Sequence, residues 1–339
     1  LPEASVGWFQ PVSVMALTMV AFLLGADLTR DNLVAHGRAI LAISLLIVVG
    51  TTLCVWGGLT ALGLDPGLAL LLGAIGTATA PAAISDVIRQ TGVRNGFTET
   101  VSGIVAIDDV WGLIVFSLCL ALVQETGGWA GPMATAGHEM AGAVLLGVGI
   151  GVPAACLSGR LTRGEPLQTE AIGIVFLTAG LALWLEVSFL ISGMTAGAMI
   201  ANLARHHDYA FNEIERIEVP FKLLFFLLAG ATLEVEALLS LGWAALAFAG
   251  LRLVARLASG EIGARLGRVP RAEVHWYGPA LLPQAGVAVG MALVAAETLP
   301  HWGPTIMSLT IATTVVFEII GPPVTLVAIR RVVQSSGRQ

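Results

Sequence analysis

Apolar positions along this chain neither alternate nor mark out one face of a surface helix. They run on for about twenty residues or more at a time, separated by short polar segments. A helix needs about 20 apolar residues to cross a bilayer whose hydrocarbon layer is about 30 Å thick. Inside lipid each backbone N–H and C=O must be satisfied within its own segment, so such runs predict helices and no open sheet. Eleven runs fit between Leu1 and Gln339, and the expected fold class is therefore an all-α polytopic membrane protein.

Two of those runs are interrupted. The third contains GTATAPAAISD (Gly76–Asp86), with Pro81 near its middle, and the tenth contains ALLPQAGVAVG (Ala280–Gly290), with Pro283 followed by Gly286. A proline inside a helix removes one donor and frees a carbonyl one turn back. A pair of interrupted spans in opposite halves of a chain points to an inverted-repeat transporter, in which half-helix ends meet near the bilayer midplane.

Charge sets an orientation. The segments after the first, third, fifth, seventh and ninth runs carry Arg30 and Arg38; Arg89 and Arg94; Arg160 and Arg163; Arg205; and Arg265, Arg268 and Arg271. The tail adds Arg330, Arg331 and Arg338, and the intervening segments contain neither Lys nor Arg. The positive-inside rule then puts the visible N-terminus outside and the C-terminus in the cytoplasm. Trp8, Trp129, Trp184, Trp243 and Trp302 fall at the outer ends, where an aromatic belt is expected.

Composition narrows the function. The chain is 56% hydrophobic and 12% charged, against about 25% charged residues in a soluble domain. Its 40 glycines suit close approach between membrane helices. The net charge is −6 with no basic stripe or arm, so nucleic acid is not an expected partner, whereas membrane lipid is. Cys54, Cys119 and Cys156 stand in apolar runs without paired spacing and read as buried small hydrophobes. No metal-ligand spacing, nucleophile motif or phosphate loop occurs, so neither an enzyme nor a bound cofactor is expected. The chain opens on Leu1 and enters its first run almost at once, from which a missing N-terminal portion is expected; no signal peptide is visible.

The chemistry concentrates in one run. From Val101 to Val123 the chain reads VSGIVAIDDVWGLIVFSLCLALV, and Asp108 and Asp109 are its only charges. One carboxylate at a helix centre costs about 2.5–3.5 kcal/mol on insertion scales, so an adjacent pair at that depth is by default an ion or proton site. Successive helical residues point about 100° apart, which gives the two aspartates different surroundings. A counter-charge should come from Arg252 or Arg256 in the ninth run, one turn apart and on one face. Thr77 and Thr79 can offer hydroxyl or backbone oxygen to a hard cation, or bond their own helix. Gln284 is expected to cap backbone groups at the second break, with cavity lining as the other reading. Glu318 lies within the last apolar run and needs a partner, for which Arg252 is the candidate.

These segments resemble the monovalent cation:proton antiporters, in particular the Kef-type and bacterial sodium/proton exchanger branch with paired aspartates. The resemblance rests on TATAPAAISDVIRQTG, VSGIVAIDDVWGLIVFSL, VPFKLLFFLLAGATLEV, LLPQAGVAVGMAL and FEIIGPPVT, and spans nearly the whole chain. It implies an inverted-repeat fold of thirteen helices, eleven of them visible here, with two broken helices crossing at the site. It implies a core ion-transport domain at about 38–124 and 239–330, and a dimerisation scaffold at about 1–37 and 125–238, hence a homodimer. By resemblance Asp109 is the residue that binds Na⁺, K⁺ or Li⁺ in competition with H⁺, Asp108 is its neighbour, and Arg256 matches the family's basic residue ahead of Arg252. Elevator-type alternating access in a bacterial inner membrane follows from the same likeness. A K⁺ efflux system or cation channel, and a Na⁺-coupled organic anion carrier on the same fold, are the competing functions. A channel of that kind usually carries a soluble regulatory domain, and a carrier should need more polar groups in its cavity.

Overall fold

The computed structural model describes residues 9–27, 30–124, 130–158, 167–204, 242–284 and 286–336, together with 211, 214, 217, 220, 221 and 223. Among the described residues there are twelve α-helices and no strand. They are α1 (Phe9–Asp27), α2 (Arg30–Ala61), α3 (Pro66–Ile75), α4 (Pro81–Thr91), α5 (Gly96–Gln124), α6 (Ala130–Ser158), α7 (Leu167–Trp184), α8 (Phe189–Leu203), α9 (Gly242–Gly267), α10 (Tyr277–Ala280), α11 (Gly286–Thr298) and α12 (Gly303–Ser336), with a 3-10 turn at Val274–Trp276. The predicted run at 216–236 lies almost entirely outside the described residues, as do Trp8, Trp129, Arg160, Arg163 and Arg205. The other ten predicted runs give twelve helices because the third and tenth are each split in two. Among the described residues four stretches, His36–Ala61, Gly96–Gln124, Gly137–Leu157 and Gly303–Ser335, are individually long and apolar enough to cross a membrane.

The breaks do not fall where a proline kink would put them. Asp65 caps α3, its Oδ1 accepting from the amides of Gly67 (2.8 Å) and Leu68 (3.2 Å), and Pro66 follows in the first turn. α3 is buried from Leu68 to Ile75 except at Leu70. It unwinds through Gly76–Ala80, and Pro81 then opens α4 as its first-turn residue, where a missing N–H costs nothing. The second break is similar: α10 ends at Ala280 and α11 resumes at Gly286, with Pro283 in the extended stretch between. Each proline therefore starts or borders a half-helix and does not bend a continuous one.

Two compact units are present. One comprises Leu1–Asp31 and Gly127–Thr232, the other Asn32–Thr126 and Leu233–Gln339. In the first, small residues let α8 lie against α1 and α6. A Cβ added to Gly151 would stand 2.8 Å from the Ala196 carbonyl oxygen, and one on Gly147 would stand 2.6 Å from that of Ser192. Met19, Phe22, Val175 and Ile200 fill the core that results.

In the second unit α9 runs antiparallel to α2. A Cβ on Gly263 would meet Ile43 Cα at 2.7 Å, and one on Gly267 would meet Ala39 Cα at 2.9 Å. Farther along, Gly50 faces Ser259 and Gly58 faces Leu251. On another side of α9, Gly260 and Gly278 bring its backbone against that of α10. Gly321 of α12 likewise lies on Pro283 of the second break, where an added Cβ would stand 2.7 Å from the proline nitrogen. Of the cysteines, Cys119 is buried, Cys54 half-buried and Cys156 exposed, so the expectation of burial fails for Cys156.

α9 ends on a strained residue. Arg268 has φ +58°, and the amides of Arg268 and Val269 close the helix onto the carbonyls of Arg265 and Ala264, each at 3.2 Å. This left-handed closing position usually holds glycine, and a residue with a Cβ there costs about 1 kcal/mol.

A Cβ at Gly260 would sit 2.6 Å from both Cα and N of Gly278, with no side chain able to move aside. Gly260→Ala should therefore destabilise the second unit by about 1–3 kcal/mol. Gly250→Ala, on the same helix with open space around it, should leave stability unchanged or raise it. Thermal unfolding of the purified protein in detergent checks both. Equal midpoints for the two variants would show that the α9–α10 contact is looser than described.

Candidate functional site

The two breaks meet. The amide of Ala80 donates to the carbonyl of Pro283 at 3.0 Å, which ties the first unwound segment to the second. Unwinding of α3 leaves the carbonyls of Gly76, Thr77 and Ala78 without the amides one turn on that a continuous helix would supply. Inside a membrane those oxygens need donors. α9 supplies them from two arginines that are both 0% exposed.

Arg252 spreads its planar fork over three carbonyls. Its Nε donates to Gly76 (2.9 Å), its Nη2 to Ala78 (2.9 Å) and its Nη1 to Leu282 of the second break (3.0 Å). The guanidinium also lies over the ring of Phe317, 4.3 Å from its centroid. Arg256, one turn later, donates through Nη2 to the carbonyls of Thr77 and Ala78, the latter at 3.1 Å. Its Nη1 donates to Asp108 Oδ2 at 3.1 Å, and both side chains are fully buried.

Asp108 belongs to α5, which crosses close by. Its Oδ2 also accepts from the hydroxyl of Thr79, while its Oδ1 has no partner among the described residues. Thr77 donates its hydroxyl to Ala74 at 2.6 Å, and its Oγ1 stands 2.9 Å from where a Cβ on Gly112 would be. Gly112 is one turn beyond Asp108, so the bare backbone there lets α5 approach the break. A cluster thus forms from Thr77, Thr79, Asp108, Arg252 and Arg256, drawn from α5, α9 and the first break. The side chain of Asp109 lies outside the described residues, so its surroundings are not part of this geometry.

Two expectations are corrected. Arg252 does not pair with Glu318. Its fork goes to carbonyls and its face to Phe317, while Glu318, the next residue, lies on the exposed side of α12. The freed carbonyls are the nearer and better-shaped acceptors for a buried guanidinium. Nor, among the described residues, does Gln284 cap the second break. It is fully buried, yet neither of its amide atoms has a partner among the described residues. The backbone groups it was expected to satisfy are already taken by Ala80 and Arg252.

Phe317 was not foreseen. Its only sequence signal is its place beside Glu318, and Arg252's acceptors at Gly76, Ala78 and Leu282 carry no side-chain signal at all. Among the described residues no group of three or more His, Cys, Asp or Glu side chains is placed to hold a metal ion.

The transmembrane sodium/hydrogen exchanger family matches residues 5–331. The chain is 23% identical over 299 residues to the ammonium/H(+) antiporter subunit AmhT of Alkalihalophilus pseudofirmus, covering 82% of this chain and 70% of that protein. Its fold is similar to the structure of the sodium proton antiporter MjNhaP1 from Methanocaldococcus jannaschii at pH 8, with a TM-score of 0.76 and 17% identity over 97% of this chain and 85% of the other. An electron-microscopy structure of the same antiporter gives a TM-score of 0.75, with 16% identity over 95% of this chain and 84% of that one. These matches and the apolar helices identify an integral membrane protein.

Removing either partner of the Asp108–Arg256 pair strands a buried charge. Asp108→Asn and Arg256→Gln should each cost about 3–5 kcal/mol, and the double variant should cost less than the sum. Strict additivity in a thermal-unfolding cycle would show that the two groups do not interact. Arg252→Lys should also destabilise, because a single ammonium cannot serve three separated carbonyls and stack on Phe317. Each carbonyl left bare should cost about 1–3 kcal/mol. A Lys variant as stable as the native protein would show that the three carbonyls do not depend on Arg252.

Proposed function

The chain belongs to the transmembrane sodium/hydrogen exchanger family, and on that premise we propose that it is a secondary antiporter exchanging Na⁺ for H⁺, of the branch with paired aspartates. The observation that carries this reading is the buried Asp108–Arg256 pair beside two helix breaks that are hydrogen-bonded to each other, with a second aspartate next in sequence. Asp109 is the exchanging carboxylate in this reading, binding either a sodium ion or a proton. Asp108 is already engaged by Arg256 and Thr79 and so orients the helix without titrating. Thr77 and Thr79, in the first break, offer oxygen to the cation, and Gln284 offers a buried amide beside the second break. The unit of Asn32–Thr126 and Leu233–Gln339 moves as the transport core. The unit of Leu1–Asp31 and Gly127–Thr232 is the scaffold through which a homodimer forms, so access alternates by an elevator motion. The basic segments face the cytoplasm of a bacterial cell.

The arginines bear on stoichiometry. Guanidinium does not deprotonate in proteins, whereas a buried lysine can. With Arg252 and Arg256 permanently charged, Asp108 held in an ion pair and Glu318 keeping one protonation state through the cycle, one titrating group remains. One cation then exchanges for one proton and the cycle moves no net charge. The similarity to a protein named as an ammonium/H⁺ antiporter subunit makes ammonium the second cargo to be tested.

In proteoliposomes Asp109→Asn should abolish sodium-driven proton movement while the protein still inserts. Normal flux would remove Asp109 from the mechanism. At fixed ion gradients the native rate should respond weakly to an imposed membrane potential, and a strong response would reveal a second proton carrier. Flux driven by ammonium and not by sodium would reassign the cargo.

A further inference from the structure

Away from the ion-pair cluster, the second unit holds a cavity of about 440 Å³ where the start of α2, the start of α5 and the end of α9 converge. That is within the size range of small-ligand sites. Charge of both signs lines it. Arg38 and Arg268 are both exposed, and Arg38 reaches the Leu266 carbonyl at 3.5 Å. Glu273 is half-buried and accepts from the hydroxyl of Tyr277 at 3.1 Å. Thr100 lies beside them, and His36 on the rim has its Nε2 4.0 Å from Glu99. Arg268 occupies the strained closing position of α9, where a glycine would fit at lower cost. An arginine at that position points to a use for its charge.

The cavity is also the foot of a greasy stripe. Leu41, Leu45, Val49 and Leu53 follow Arg38 on one face of α2 at helical spacing, and each is at least 40% exposed. A soluble ligand would have no use for that stripe, and acyl chains would.

We propose that this cavity binds the headgroup of a phospholipid that carries a primary ammonium, phosphatidylethanolamine being the representative, with its phosphate on Arg38 and Arg268, its ammonium on Glu273 and its acyl chains along α2. A purely anionic headgroup would meet Glu273 as a like charge. A quaternary ammonium could not donate to that carboxylate. The bound lipid ties the entry of α5, which carries both aspartates, to the end of α9, which carries both arginines, and so acts on exchange from outside the ion site. Assignment to the cytoplasmic leaflet rests on the orientation proposed above, whereas binding does not.

The test is native mass spectrometry of the purified full chain, titrated separately with phosphatidylethanolamine, phosphatidylcholine, phosphatidylglycerol and water-soluble glycerophosphoethanolamine. Phosphatidylethanolamine should be retained about tenfold more strongly than either other lipid, as expected for charge-assisted hydrogen bonds. Glu273→Gln should erase the preference over phosphatidylcholine. Arg268→Gly should weaken binding by a similar factor while its relaxed backbone keeps the fold, checked by an unchanged or raised unfolding midpoint. Equal retention of the three lipids, or undiminished preference in both variants, would overturn the proposal. Equal affinity for the water-soluble headgroup would overturn the lipid as its source. Because the readout is binding, a failure here is distinct from failure of sodium/proton exchange.

Discussion

A helix that unwinds inside a membrane leaves carbonyl oxygens that lipid cannot satisfy. Here Gly76, Thr77, Ala78 and Leu282 are in that position, and two guanidinium groups from one helix turn supply their donors. The interaction is mutual. Buried arginines are costly in a low-dielectric interior unless their donors are occupied, and unwound carbonyls are the acceptors at hand. Removing either side exposes the other. The contact between the breaks, the attachment of α9 to both of them and the burial of Asp108 all draw on this exchange.

Geometry explains why the arginine identity matters. Arg252 meets carbonyls from both breaks and presents its face to Phe317, a task for a rigid fork with five donors. Arg256 divides its donors between carbonyls and a carboxylate, so it links the break to α5. The glycines that let backbones touch serve the same end. Gly260 against Gly278 brings α9 onto α10, and Gly112 opens α5 toward Thr77. A long side chain can satisfy a distant carbonyl only if the helices carrying both lie close enough.

α9 therefore has two working regions. Its middle satisfies the breaks, and its end, with Arg268 in a left-handed conformation, helps wall a cavity of mixed charge. About three helical turns separate Arg256 from Arg268. A rigid helix with binding groups at its middle and its end can carry displacement between them, because a packed helix moves as a body and does not absorb motion locally.

Much of this protein is readable from its residues alone. The length of the apolar runs determined an all-helical membrane protein, since lipid admits few other solutions. Pro81 and Pro283, each with glycine near it, marked the two interrupted spans, and the shared motifs marked the family. The cost of charge in apolar sequence singled out Asp108, Asp109, Arg252 and Arg256 before any partner was known. The partners themselves were decided only in three dimensions. A backbone carbonyl has no letter of its own, so nothing in the sequence says that Arg252 serves Gly76, Ala78 and Leu282 and leaves Glu318 on the exposed side of α12. The same blindness made Gln284 read as a cap when an amide from the opposite break already filled that place. Sequence records which groups are too expensive to be idle; the tertiary fold decides which acceptors come within their reach.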